Sequence, residues 1–145
     1  EQRRGHVVNI ASIYGNYPTA GGGVYGATKA AVVFLSESLR MESQGKIKVT
    51  TIRPTGVPAT GLGAGIVNPE AVSGLLGINT PSYMSKFEAA AAGQLPKSML
   101  DINDIEYWAL DPSSLADQVV HAINQPWGVA ITDMTVRAAG DGYVI

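Results

Sequence analysis

The sequence predicts an α/β fold of three layers, with a small parallel sheet between helices, and three features predict it. A short β-rich run from Val7 to Ala11 comes first. A long helix signal from Val24 to Ser43 follows, and then a second β-rich run from Lys48 to Ile52. Two strands joined through a helix form a βαβ unit, whose strands lie parallel with a right-handed crossover. The composition agrees: 46% of the 145 residues are hydrophobic and 15% charged, the balance of a chain with a buried core.

Each element has its own local reason. The first strand ends in a loop from Tyr14 to Gly23 punctuated by Gly and Pro. The helix interior has no Pro, its one Gly is Gly26 in the first turn, and Gly45 follows as a stop signal. Its segment Ala30 to Leu35 is apolar almost all round, so the helix is expected to be covered on more than one side, by the sheet and by a second subunit. Arg53-Pro54 closes the second strand. Residues 55–111 are looser, with many Gly and Pro and short helical patterns. Within them Thr80-Pro81 reads as an N-cap with Pro at the first helical position, opening a helix to about Ala92. Asp111-Pro112 repeats that signal for a helix to about Asn124, and Val129 to Val136 alternates as a third strand. The first strand would carry an unpaired edge in so small a sheet, so residues 1–145 are expected to form one partial domain with more chain upstream.

Charge and composition exclude several functions. The net charge is −2 with no basic cluster, which gives no pull toward nucleic acid. There are no cysteines, which removes disulfides and thiolate metal sites and fits a cytoplasmic protein. The apolar run Ala30 to Leu35 is far too short to span a bilayer. His6 and His121 stand alone without a second metal ligand at useful spacing, so no metal site is expected.

Tyr25 and Lys29 are the residues with chemistry to offer. At i and i+4 of the long helix they share a face. A nearby ammonium favours a phenolate, and such a pair serves as a general acid and base. The bland reading is a solvated tyrosine beside a surface lysine. Ser12 falls just after the first strand, where open parallel sheets bind ligands. Its hydroxyl would either hold a substrate oxygen or cap its own turn.

The motifs Val8-Asn9-Ile10-Ala11-Ser12, Gly15, Tyr25-Gly26-Ala27-Thr28-Lys29-Ala30-Ala31 and Val49-Thr50-Thr51-Ile52-Arg53-Pro54, in that order and spacing, resemble the short-chain dehydrogenase/reductase family. The match is close over about residues 5–60 and loose from Leu115 onward. The resemblance implies the C-terminal, catalytic half of a Rossmann-like doubly wound parallel sheet. It also implies an NAD(P)-dependent oxidoreductase that interconverts an alcohol and a carbonyl. In that frame Tyr25 is the acid/base, Lys29 assists it and holds the nicotinamide ribose, and Ser12 orients the reacting oxygen. Pro54, Thr55, Gly56 and Val57 form the loop against the nicotinamide, and Thr60 reaches the amide or pyrophosphate. The cofactor is NAD or NADP, the partner a small alcohol or carbonyl substrate, and the assembly a homo-oligomer, dimer or tetramer.

Two departures stand out. The family's Pro-Gly is here Pro54-Thr55-Gly56, which moves Thr60 one position late. The glycine-rich nucleotide turn, the ribose selector and the remaining catalytic asparagine belong upstream of Glu1. The 145-residue chain alone is therefore expected to be inactive and to bind nicotinamide nucleotides weakly. An epimerase or dehydratase that reuses Tyr25, and an inactive fragment, are the alternatives.

Other features read as structure. Gly61 to Gly65 is a loop and not a phosphate turn, because no strand precedes it and no helix follows in the required way. Asp101, Asp104 and Glu106 form an acidic turn, and Tyr107 and Trp108 are expected to pack. Tyr14 and Tyr17 are candidates to line the substrate pocket, whose wall or lid is expected from residues 61–111.

Overall fold

The computed structural model describes residues 4–144. Strand β1 is His6–Ile10, helix α1 Gly23–Glu42, and strand β2 Lys48–Pro54. Helices α2 (Glu70–Leu76), α3 (Thr80–Ala91), α4 (Lys97–Leu100) and α5 (Pro112–Ile123) follow, and strand β3 is Asp133–Val136. The strands form one sheet in the order β1-β2-β3. Both pairings are parallel, with Asn9 opposite Thr51 and Thr51 opposite Asp133.

Strand alternation sends odd-numbered and even-numbered side chains of β1 and β2 to opposite faces. On the odd face Asn9 donates to the buried Ser36 hydroxyl of α1 at 2.8 Å. On the even face Lys48 reaches the end of α5 and donates to the carbonyls of Gln125 (3.0 Å) and Val129 (3.1 Å). The sheet is thus a layer between α1 and α5, as the βαβ reading expects. No helix among the described residues is long and apolar enough to cross a membrane.

The element boundaries depart from the sequence reading in instructive places. The third strand starts at Asp133 and not at Val129. The carbonyls of Pro126 and Val129 turn toward the Lys48 ammonium, and Thr50 Oγ1 donates to Ile131 at 2.6 Å, so side chains take acceptors that a longer ladder would use. Thr80 is not the N-cap of α3. Asn79 holds that position, and Thr80 Oγ1 donates backward to Gly77 at 2.7 Å. Asp111 does cap α5, accepting from the amides of Ser113 (2.8 Å) and Ser114 (3.0 Å). Hydrogen bonds from the Ser113 and Ser114 hydroxyls, followed by the Ser114 amide and the Tyr107 hydroxyl, hold the Asp111 carboxyl well below the ordinary carboxylate range.

Residues 70–110 are more built than the sequence suggested. Leu75, Leu76, Tyr83, Trp108 and Ala109 form a buried cluster, with Tyr14 and Tyr143 packed against it. Trp108 is 6% exposed, so packing is its role, and the Tyr107 hydroxyl donates to Asp111 at 2.9 Å. Residues 61–65 lie on the surface with a single 3-10 turn at 63–65. Only one side of the apolar segment of α1 is covered among the described residues: Val32 and Val33 are partly buried, whereas Phe34 is 75% and Leu35 66% exposed.

Candidate active site

Ser12 lies just past β1, 6% exposed, at the N-cap of a 3-10 turn over Ile13–Gly15. Its Oγ accepts the amide of Tyr14 at 3.2 Å. That bond is the turn-capping role, and it uses Oγ only as an acceptor, which leaves the hydroxyl hydrogen free to donate. Gly15 then lets this turn lie on the helix. A Cβ there would come 3.0 Å from the carbonyl carbon and oxygen of Lys29. The glycine therefore permits a close approach between the Ser12 turn and the backbone of Lys29.

Lys29 extends from α1 toward the end of β1, where Nζ donates to the Ile10 carbonyl at 3.2 Å. The same ammonium lies 5.7 Å from the centroid of the Tyr25 ring. Tyr25 also meets the edge of Tyr14, with centroids 5.3 Å apart and planes at 87°. Contacts on both sides of Ser12, from Ile10 to Lys29 and from Tyr14 to Tyr25, thus draw the three sequence-predicted residues to one end of β1. Tyr14 is held in turn by its hydroxyl, which donates to Ala71 at 3.3 Å. Burial pushes its phenol pKa up, with Tyr25 and Tyr83 adding to the shift, so Tyr14 stays neutral. Tyr17 is 57% exposed and takes no such position.

Pro54 to Val57 leave β2 at the same end of the sheet. The Thr55 amide donates to Val136 at 3.1 Å, which ties this loop to β3. The Thr55 hydroxyl is buried with no hydrogen-bond partner. Thr60 is exposed and donates to the Val57 carbonyl at 2.9 Å, so its hydroxyl closes a local turn.

Two features of this region have no local sequence signal. Arg53 donates to Asp133 at 2.8 Å and also to Asn16 Oδ1, linking β2 and β3 to the turn that follows Ser12. Tyr143, near the end of the chain, rests against Gly56: a Cβ on Gly56 would meet the Tyr143 hydroxyl and lie 3.1 Å from two of its ring carbons. A surface groove of about 560 Å³ lies elsewhere, between α5, β3 and the 102–110 segment, and none of Ser12, Tyr25 and Lys29 lines it.

A family model described as short chain dehydrogenase matches residues 1–71. An uncharacterized oxidoreductase of Staphylococcus epidermidis is 31% identical over 137 residues, which is 94% of this chain and 44% of the relative. An NADP-dependent 3-hydroxy acid dehydrogenase of Salmonella typhi is 49% identical over 61 residues, 41% of this chain and 25% of that protein. Among solved structures, a serine dehydrogenase from Escherichia coli matches at 26% identity with a TM-score of 0.54, over 90% of this chain and 38% of its own. The closed form of a serine dehydrogenase complexed with NADP+ matches at 28% identity with a TM-score of 0.60, over 90% and 43%. The chain spans less than half the length of these relatives.

Proposed function

The chain belongs to the short-chain dehydrogenase/reductase family, and on that premise we propose that it carries the catalytic half of an NAD(P)-dependent oxidoreductase interconverting an alcohol and a carbonyl. One observation carries the reading: the Lys29 ammonium is anchored on the Ile10 carbonyl, over the Tyr25 ring and two residues from Ser12.

The residues present fit the nicotinamide end of NAD or NADP. Lys29 and Tyr25 present an ammonium and a phenol on one helix face, suited to ribose hydroxyls. Pro54, Thr55, Gly56 and Val57 leave β2 at the same end of the sheet, and the buried Thr55 hydroxyl lacks the partner that a bound amide or hydroxyl would supply. When bound, the nicotinamide gives or accepts the hydride. The chain handles the proton. Tyr25 donates a proton to the carbonyl oxygen in reduction, or takes it from the alcohol in oxidation. The free hydrogen of Ser12 Oγ holds that oxygen in place, and Lys29 supports the charge on the phenol oxygen. Thr60 spends its hydroxyl hydrogen on the Val57 carbonyl, so its oxygen is left to accept from an amide, and only donation to the pyrophosphate would require that turn to open.

Both named dehydrogenase relatives act, by name, on hydroxyl-bearing acids. Small hydroxy acids and their keto forms are therefore the first substrates to test. The exposed apolar face of α1, with Val24, Phe34, Leu35 and Met41, supports a homo-oligomer, dimer or tetramer. A cytoplasmic location is part of the same proposal.

The test is transfer of label. The catalytically active protein that carries this chain is incubated with nicotinamide nucleotide deuterated at the transferring position and with a panel of small carbonyl acids. Deuterium on the product carbinol carbon, with one nucleotide oxidised per product, is the expected result. Conversion with no net change in the nucleotide would point to an epimerase or dehydratase and overturn the assignment.

A further inference from the structure

We infer that Tyr143 is a positioning residue of the proposed site, holding the 54–57 loop through its contact with Gly56. The inference rests on the dehydrogenase reading for its consequence, but the contact stands on geometry alone.

Gly56 has no left-handed backbone angle that would itself demand glycine. What excludes a side chain there is Tyr143, whose hydroxyl and ring occupy the space a Cβ would need. The ring has little freedom to retreat. It packs edge-on against Tyr83, with centroids 5.7 Å apart, and belongs to the cluster around Trp108. Burial, with the neighbouring Tyr83, raises its phenol pKa, so it presents a neutral ring to the loop.

The segment carrying Tyr143 is fixed along its length. Arg137 donates to Asp141 (2.6 Å) and to the Tyr143 carbonyl (2.8 Å). The Asn79 side chain donates to Gly142 at 3.1 Å, and the Gly140 amide to Tyr107 at 2.8 Å. Through these bonds α3 and the 104–110 turn bear on the loop that faces the nicotinamide. Tyr143 acts through Gly56 and so sets where the loop backbone lies relative to Tyr25.

The experiment is a double-mutant cycle of Gly56→Ala and Tyr143→Ala, read in two ways. Thermal unfolding of the chain reads the contact. Gly56→Ala should lower the midpoint by about 5 °C with Tyr143 present, and by much less in the Tyr143→Ala background. Turnover by the catalytically active protein reads the consequence. Each single variant should lower kcat about tenfold or more while the dissociation constant for NAD(P)H moves less than threefold, and the double variant should be no worse than Tyr143→Ala. Tyr143→Phe removes the hydroxyl that a Cβ on Gly56 would meet first and keeps the ring carbons at 3.1 Å, so it should keep turnover near wild type and relieve the Gly56→Ala penalty only in part. If Tyr143→Ala does not fold, Tyr143→Leu takes its place. Strict additivity in both readings would overturn the inference, and so would a lowered midpoint with unchanged kcat. A preserved unfolding cycle in a protein with no nicotinamide-dependent turnover would uphold the contact and sink the dehydrogenase reading instead.

Discussion

The molecule has two regions that approach one end of the sheet from different directions in the chain. Residues 6–54 place Ser12, Tyr25 and Lys29 by neighbours close in sequence: a strand end, a one-turn 3-10 helix and the start of a long helix. Residues 70–144 place Tyr83, Trp108 and Tyr143 by contacts across long separations, such as the pair Tyr83 and Tyr143, 60 residues apart. In the proposed function the first region supplies the reactive groups, and the second supplies shape. The contrast teaches that damage to the two should have different signatures. Losses in the first should appear in turnover with stability kept, and losses in the second should appear in stability first.

The strongest way to break this contrast is Trp108→Ala. Removing a buried indole from the second region should cost about 3–5 kcal/mol in chemical denaturation. A loss under about 1 kcal/mol would mean that the Trp108 cluster is not a core. Ser12→Ala sharpens the other side. Loss of one donor to the reacting oxygen should lower turnover about 100- to 1000-fold. Its unfolding midpoint should change little, since only one 3.2 Å bond to the Tyr14 amide is lost; a collapse in stability with normal turnover would assign Ser12 to the turn alone.

Smaller effects follow. Phe34→Asp on the exposed face of α1 should convert an oligomer to a smaller species in size-exclusion chromatography while each subunit stays folded. An unchanged elution volume would remove α1 from the interface. The smallest effect concerns His6. Its Nε2 pairs with Thr50 Oγ1 at 2.7 Å, Nδ1 is buried without a partner, and Lys48 is the charged neighbour. Burial first, and Lys48 second, lower its pKa below the ordinary value of about 6.5. The unfolded chain then binds more protons than the folded one as pH falls through and below that value. Stability should therefore decline as pH is lowered from 7, and His6→Gln should flatten the decline. An identical slope in the variant would clear His6 of the effect.

The legibility of the two regions differs for the same physical reason. Strand, turn and helix around Ser12 are fixed by periodicity and by glycines at Gly15 and Gly45, all visible in a short window; Gly45 takes a φ of +79° after the helix, as a stop signal should. Helix α2 has a readable start: Asn68, just before Pro69, accepts the Glu70 amide on Oδ1, much as Asp111, just before Pro112, accepts the Ser113 amide at the start of α5. The late start of β3 was not readable, because it depends on Lys48 and Thr50 claiming carbonyls about 80 residues away. Nor was the Tyr143 contact, since nothing near Gly56 or Tyr143 in sequence marks the pairing. The spacing of Tyr25 and Lys29 was sufficient to place them together, but their tether to Ile10 needed the tertiary fold.

The most direct measurement is turnover by Tyr25→Phe in the catalytically active protein at saturating nicotinamide nucleotide, alongside nucleotide affinity and thermal unfolding. The account predicts a fall of about 100-fold or more, with affinity and unfolding midpoint close to wild type. A Tyr25→Phe enzyme that turns over at the wild-type rate would show that the proton comes from elsewhere and contradict the account.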